Sequence, residues 1–371
     1  MKKILFLIHD LGSGGAERVL VNLVNNMDRE KFDISVKVLF GGGIYESQLN
    51  EDIHFSKVFP VMIPGNRIWM KLMTPEQLHS LFIKKKYDIE VAYLEGPTAR
   101  VIAGCKDNGT KKICWIHSKL LNLKHISRSF RNVSEMQACY RSFDQIAAVS
   151  RDVRKQFSKL THISENIRVI HNTIETKEIR KLSEETAPEI IEEDVIRFVS
   201  VGTLKAVKGF DRLLRIAERL RDDGFRFHLY IVGDGPDRKS LQTFIQQKEL
   251  QDTVTLLGYT KNPFKYVAKC DCFVCSSYTE GMSTAATEAI VLGIPVCTVE
   301  VSGMRELIGH KYPCGLIVEN EEKALENAIR MLIVDKQLLR QMKKYAIRRR
   351  RQFDTKVTVQ EAEKFFLEQE K

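Results

Sequence analysis

Twice along this chain, short apolar runs alternate with stretches whose apolar residues recur at helical spacing, and that alternation restricts the fold more than any other feature. In the first series, Ile4 to Ile8 reads as a buried strand. Ala16, Val19, Leu20, Leu23, Val24 and Met27 form one helical face, and Ile34 to Phe40 reads as a second strand. A βαβ unit of this kind calls for a parallel sheet covered by helices. Further strands are expected at Ile89 to Leu94, Ile113 to Ile116, Gln145 to Val149 and Ile167 to Ile170. A polar stretch, Thr173 to Asp194, then interrupts the pattern. A second series opens at Ile196 to Val201, with helices over Phe210 to Leu220 and Pro236 to Leu250 and strands at Phe227 to Val232 and Val254 to Leu257. Phe273 to Cys275, Pro295 to Val299 and Leu316 to Val318 supply its remaining strands, and a last helix is expected around Val359 to Glu368. The expectation is an α/β protein of two doubly wound domains. They run over 1–180 and 195–352, with a linker at 181–194 and a terminal helix, 353–371, packing back on the first domain. At 371 residues the chain can bury two separate cores, and two domains imply a cleft.

Composition excludes several classes. No apolar run approaches the ~20 residues needed to span a bilayer, and the apolar start Ile4 to Ile8 ends in His9 and Asp10, too short for a signal peptide. Eight cysteines without a signal peptide fit a reducing cytoplasm with no structural disulfides. Cys270, Cys272 and Cys275 invite a zinc reading, but they pattern as a buried strand and no second ligand pair has matching spacing. Of the formal net charge of +10, +8 lies before residue 186. From Asn108 to Ser134 no acidic residue occurs, while Lys111, Lys112, Lys119, Lys124, Arg128 and Arg131 alternate with Trp115, Leu120, Leu121, Leu123, Ile126 and Phe130. Two readings stay open: a patch facing an anionic membrane, with these apolar residues entering the interface, or a solvated wall of the cleft. No recognised nucleic-acid motif is present, so no nucleic-acid partner is expected.

The residues that can carry chemistry fall at strand ends, where ligands of open α/β sheets bind. Gly12-Ser13-Gly14-Gly15-Ala16-Glu17 follows the first strand and opens into a helix, but Glu17 stands where a dinucleotide fingerprint needs its third glycine. Gly202-Thr203-Leu204-Lys205-Ala206-Val207-Lys208-Gly209 follows Val201, and Gly233-Asp234-Gly235-Pro236 follows Val232. SSYTEGMSTAATEAIVLG, Ser276 to Gly293, sets Glu280 and Glu288 eight positions apart around a helix start that Ser283 or Thr284 can cap. Such a helix end carries roughly half a positive charge, suited to a phosphate. The three glycine turns and the Glu280 segment are expected to converge on one sheet edge, and jointly they favour a phosphate-bearing ligand.

Those residues are similar to a known family. Gly-Gly-Ala-Glu at 14 to 17, His117 after an apolar strand, His171-Asn172, the Val-Gly-x-Leu and Lys-Gly pair at 201 to 209, Val-Gly-Asp-Gly-Pro at 232 to 236 and Glu280-x7-Glu288 resemble the retaining, nucleotide-sugar-dependent glycosyltransferases of family 4. Their architecture is GT-B, two Rossmann-like domains facing a cleft. The wording EGMSTAATEA and VSGMRELI is similar to that of enzymes building bacterial surface polysaccharides such as capsules. The resemblance implies that the second domain holds a nucleotide diphosphate sugar, with UDP as the first choice. Glu288 would hold the ribose, Glu280 the sugar hydroxyls, the amides of Gly281, Met282 and Ser283 the sugar or phosphates, and Lys208 the diphosphate. Thr203, Lys205, Gly233, Gly235, Tyr259 and Thr284 would complete the donor site. His117 would orient the reacting carbon, with Gly14 and Gly15 closing over the diphosphate. The catalytic set is thus Glu280, Lys208 and His117. No metal ligand and no cofactor beyond the co-substrate are expected, since the chain has no Asp-x-Asp signature. Retention would follow from front-face attack without an enzymic nucleophile.

One departure stands out, because the family usually has arginine where this chain has Thr203. Either Lys205 swings in, or Lys208 and backbone dipoles suffice, or the chain is impaired. The implied acceptor is a saccharide, lipid-linked, met at the inner face of the cell membrane. The competing functions are a catalytically weak, membrane-docked partner subunit and a GT-B-type nucleotide-sugar epimerase.

Overall fold

The computed structural model describes residues 1–12, 14–120, 122–190 and 195–368. Ser13 of the first glycine turn, Leu121 of the basic segment and the end of the expected linker, 191–194, lie outside the described residues. The chain divides into two compact units, 1–174 with 355–371, and 175–354.

The first unit is built on seven parallel strands: β1 (Lys2–Ile8), β2 (Phe32–Phe40), β3 (His54–Phe59), β4 (Ile89–Ala92), β5 (Lys111–Ile116), β6 (Gln145–Ala148) and β7 (Ile167–Val169). Their order is β3-β2-β1-β4-β5-β6-β7. Ile4 to Ile8 have no exposed surface, because β1 is central and helices cover both faces. The sequence pattern did not call for β3. As an edge strand it is only half buried, and His54, Ser56 and Lys57 break the apolar run that marks the central strands. The helix Thr355–Leu367 belongs to this unit and plugs its core with two rings: Phe366 meets Phe6 and Phe32 edge-on at 5.6 and 6.1 Å, and Phe365 meets Trp115 at 6.4 Å. The Lys111 amine donates to the carbonyls of Phe366 and Glu368 at 3.1 and 2.6 Å, a cation at the helix's negative end.

The second unit has six parallel strands: β8 (Ile196–Val201), β9 (Phe227–Val232), β10 (Val254–Gly258), β11 (Cys272–Cys275), β12 (Val296–Val299) and β13 (Gly315–Val318), ordered β10-β9-β8-β11-β12-β13. In each sheet the winding reverses beside its first strand. The topological switch points, where ligands of such sheets bind, therefore lie between β1 and β4 and between β8 and β11.

Two sequence expectations need correction. The first domain ends at Ile174 and not at 180. The helix Thr176–Ser183, which the polar stretch concealed, belongs to the second unit: Ile179 is fully buried and the Asn262 amide donates to the Leu182 carbonyl at 2.8 Å. The apolar residues of the basic segment are also not available to a membrane. Trp115, Leu120, Ile126 and Phe130 are at most 3% exposed because β5 and the turns after it lie in the core, leaving Leu123 as the partly exposed member of the described set.

Candidate functional site

In the second unit, the turn after β8 brings Lys208 across to the loop after β11. Its ammonium donates to the Glu280 carboxylate at 2.7 Å, and the Ser277 hydroxyl donates to the same oxygen at 2.7 Å. Glu280 is only 12% exposed and Lys208 31%, so the pair stands at the mouth of the switch point and is partly shielded from water. Gly209 explains how the two loops come so close. It has φ +65°, and a Cβ there would fall 2.2 Å from the Ser276 carbonyl oxygen. The Ser276 hydroxyl returns a bond to the Lys208 carbonyl at 2.9 Å.

Behind this pair lies a residue that sequence reasoning missed. Arg212 is 2% exposed; its Nε donates to the Ser276 carbonyl at 2.7 Å, Nη2 to the Ser277 carbonyl at 3.0 Å, and Nη1 to the Asn320 side-chain oxygen at 2.9 Å. Its guanidinium also lies over the Tyr278 ring, 4.2 Å from the centroid. Burial pulls its pKa below the usual arginine value, yet that value starts so high that the group stays charged. Arg212 therefore locks the backbone that carries Glu280 and adds a buried positive charge beneath the site. In sequence it reads as an ordinary polar position between Phe210 and Leu220, and nothing in the pattern marks it as buried.

The helix Thr284–Val291 starts directly after this loop, and Ser283 is its cap, its hydroxyl accepting from the Ala286 amide at 3.3 Å. Thr284 is thus the first helical residue, whose amide has no intrahelical acceptor. Glu288 is the helix's fifth residue and 8% exposed, while Met282 and Ser283 are each 7% exposed. Gly303, at φ +81°, packs against the Gly281 carbonyl, where a Cβ would approach to 3.2 Å. The other glycine turns interlock: a Cβ on Gly233 would fall 2.0 Å from the Gly202 carbonyl, and one on Gly235 2.5 Å from that of Leu204. Thr203 and Lys205 are exposed on the same turn as Lys208. Tyr259 is 66% exposed beyond β10, at the far edge of the sheet.

The structure does not place all three glycine turns on one edge. Gly14 and Gly15 belong to the first unit, because β1 and β8 start separate sheets. There Gly14 precedes the helix Gly15–Asn26, and the Glu17 carboxylate leans back over it, so that a Cβ on Gly14 would fall 2.0 Å from Oε2. Burial raises the Glu17 pKa, while Asp10 is held low by its hydrogen bond to His9, 2.6 Å from Nδ1. After β5, the His117 amide donates to the Glu95 carboxylate at 3.0 Å. The His117 ring lies 4.7 Å from that of Tyr93 and stacks on Trp115, and its Nε2 has no hydrogen-bond partner among the described residues. Burial lowers the His117 pKa to about 3, so the imidazole is neutral at physiological pH. Glu95 is the second residue that the sequence reading missed, since a lone glutamate at a strand end carries no spacing signal.

The comparisons with known proteins agree with this frame. Residues 13–178 match the model of Glycosyltransferase Family 4, and residues 183–349 match that of Glycosyl transferases group 1. A relative from Campylobacter jejuni, N-acetylgalactosamine-N,N'-diacetylbacillosaminyl-diphospho-undecaprenol 4-alpha-N-acetylgalactosaminyltransferase, is 28% identical over 99% of this chain and 100% of its own length. The chain belongs to the family 4 glycosyltransferases of GT-B type. Solved structures share the fold of this glycosyltransferase from end to end. HepE from Anabaena in complex with UDP aligns with a TM-score of 0.76 at 19% identity over 98% of both chains. A glycosyltransferase from Rickettsia africae aligns at 0.78 and 15% identity, over 98% of this chain and 97% of the other. As in those folds, the glycosyltransferase carries one Rossmann-like sheet in each half.

Proposed function

We propose that this glycosyltransferase moves a hexose-type sugar from a UDP-sugar to a lipid-linked saccharide with retention of configuration, in the assembly of a cell-surface polysaccharide. The observation that carries the donor assignment is the Lys208–Glu280 pair beside the capped helix start: a cation and a hydroxyl-binding carboxylate 2.7 Å apart at a topological switch point. A diphosphate arriving there meets Lys208 and the amides at the start of Thr284–Val291. One unit charge pair at 4 Å contributes about 4 kcal/mol at an effective dielectric near 20. Lys208 and the helix end then hold the charge that develops on the departing nucleotide. Glu280, released from Lys208, accepts hydroxyls of the transferred sugar, and Glu288 those of the ribose. With Thr203 in place of the usual arginine, Lys205 on the same exposed turn is the available second cation. The leaving phosphate takes the acceptor's proton in a front-face attack, so Glu280 needs no role as a nucleophile. The choice of UDP leans on HepE, solved with UDP, and the lipid-linked acceptor on the Campylobacter relative, whose name specifies a diphospho-undecaprenol substrate.

The same reading includes contact with an anionic membrane through the first unit. Val61, Met62, Ile68 and Leu72 are 49–78% exposed, Leu72 follows Lys71 in sequence, and the Arg131 guanidinium donates to the Lys71 and Leu72 carbonyls at 2.8 and 2.9 Å. Exposed apolar side chains with cations nearby suit a bilayer interface.

The test is thermal stabilisation of the intact protein by a panel of nucleotides and nucleotide sugars, followed by transfer assays with lipid-linked acceptors. A ligand at 100 times its Kd adds about 2.7 kcal/mol. A UDP-sugar is expected to raise Tm in the wild type but not in Glu288→Ala, and transfer should not respond to added Mg2+ or Mn2+. The anomeric configuration of the product, read by NMR, decides retention. No shift with any nucleotide would overturn the donor assignment.

A further inference from the structure

The reaction described above makes no use of a buried triad on the first unit's sheet, away from its strand ends. His79 lies in the helix Pro75–Phe82, Glu90 on β4 and Cys105 in the turn after the helix Pro97–Ile102. The His79 Nε2 stands 2.9 Å from a Glu90 carboxylate oxygen, and one nitrogen, one oxygen and the Cys105 sulfur all lie within 4.8 Å of one another. Glu90 is 2% exposed and Cys105 8%, while His79 is 15% exposed and opens the cluster towards solvent.

We propose that His79, Glu90 and Cys105 bind a zinc ion, with water in the fourth position. Three arguments support it. The donor set of imidazole, thiol and carboxylate is that of zinc; magnesium and calcium would call for oxygen donors throughout. The geometry is near that of a filled site: bonds of about 2.0–2.3 Å in a tetrahedron place ligand atoms roughly 3.3–3.8 Å apart, so the His79–Glu90 contact would open by about 0.4 Å and the longer sides close by about 1.5 Å at most, within reach of side-chain rotation. The scaffold is also rigid. A Cβ on Gly104 would fall 2.0 Å from the Pro75 carbonyl oxygen, so the Cys105 turn is pressed against the start of the His79 helix. Arg100, 1% exposed, fixes the chain leading into that helix by donating to the Met70 and Met73 carbonyls at 2.6 and 2.7 Å.

Charge also favours an ion. A carboxylate with almost no contact with water needs a counter-charge, and besides His79 its register partners are the apolar Leu5 on β1 and Lys112 on β5. The Lys112 ammonium has no free lone pair and stays outside the coordination sphere. Glu90 is the second residue of β4, towards its amino end, whereas substrates meet such sheets at the carboxyl ends. The ion therefore has a structural role: it ties two helical segments to the middle of the sheet and keeps Cys105 as a metal thiolate.

The test uses the intact, metal-depleted protein titrated with Co2+. One equivalent should bind with a thiolate-to-cobalt charge-transfer band, and Zn2+ should bleach it. Cys105→Ser should abolish the band, and His79→Ala should weaken Co2+ binding at least tenfold. Zn2+ should raise Tm in the wild type and leave Cys105→Ser unmoved. A zinc-edge X-ray absorption spectrum of the wild type needs no variant and should show one sulfur in the first shell. A shell without sulfur, no stoichiometric binding, or a band that survives in a folded Cys105→Ser would overturn the assignment.

Discussion

The two switch points share one topology and carry opposite chemistry. Between β8 and β11 the chain sets positive charge beside its two carboxylates: Lys208, bonded to Glu280, stands at the mouth, Arg212 lies beneath it, and the start of the helix Thr284–Val291, which carries Glu288, lies alongside. Around the end of β1 and its neighbours stand Asp10, Glu17 and Glu95 with a His117 that is neutral at physiological pH. Paired cations and a helix start suit a phosphate between β8 and β11, whereas the carboxylates and neutral imidazole near β1 suit an uncharged hydroxyl. A doubly wound sheet supplies the position of a site, and the residues at its strand ends decide what enters.

That contrast can be broken most sharply at Lys208. Lys208→Ala removes the cation from the second switch point, and kcat should fall by about 10²–10³-fold, the usual effect of losing one group that stabilises charge in the transition state, while the melting curve changes little. An unchanged kcat would show that the positive helix end suffices. Gly209→Ala should cost about 2–4 kcal/mol of stability, from a left-handed φ combined with a contact on the Ser276 carbonyl, and donor binding should fail with it. Chemical denaturation of the wild type and variant measures this. Arg212→Lys keeps the charge but not the fork that holds two carbonyls and Asn320, and should cost about 1–3 kcal/mol in the same assay.

Acidification tests the other side of the comparison. His117 has a folded pKa of about 3 and an unfolded value near 6.5, so between those pH values the unfolded chain binds more protons than the folded one. Stability should therefore fall as pH drops from 6.5 towards 3, by up to about 1.4 kcal/mol per pH unit from this group. His117→Asn should lose that share of the slope. Equal slopes in the two proteins would mean that His117 is not buried neutral, and the contrast in charge would collapse.

Much of the architecture could be read before any coordinates, because parallel strands buried on both faces are predominantly apolar runs. β1, β2, β8 and β9 announce themselves that way. β3 escaped because an edge strand needs only half-burial, and the helix Thr176–Ser183 escaped because Ile179 is its one fully buried apolar residue in a stretch of charge. At the site, Lys208, Glu280 and Glu288 were found through motif resemblance and the spacing around a helix start. Arg212 and Glu95 were not, since their importance lies in contacts with backbone groups far away in sequence, at Ser276 and His117. Spacing along the chain cannot encode such contacts.

The helix Thr355–Leu367 completes the first unit's core with residues made after the whole of the second unit. A ribosome adding roughly 5–20 residues per second finishes β7 some 10–40 s before it delivers Phe366. Through that interval the first unit waits with its core open, while the second unit is synthesised and needs nothing beyond Asp354 to close on itself. A premature stop just before residue 355 would consequently injure the unit that was synthesised earlier, and leave the unit next to the break intact.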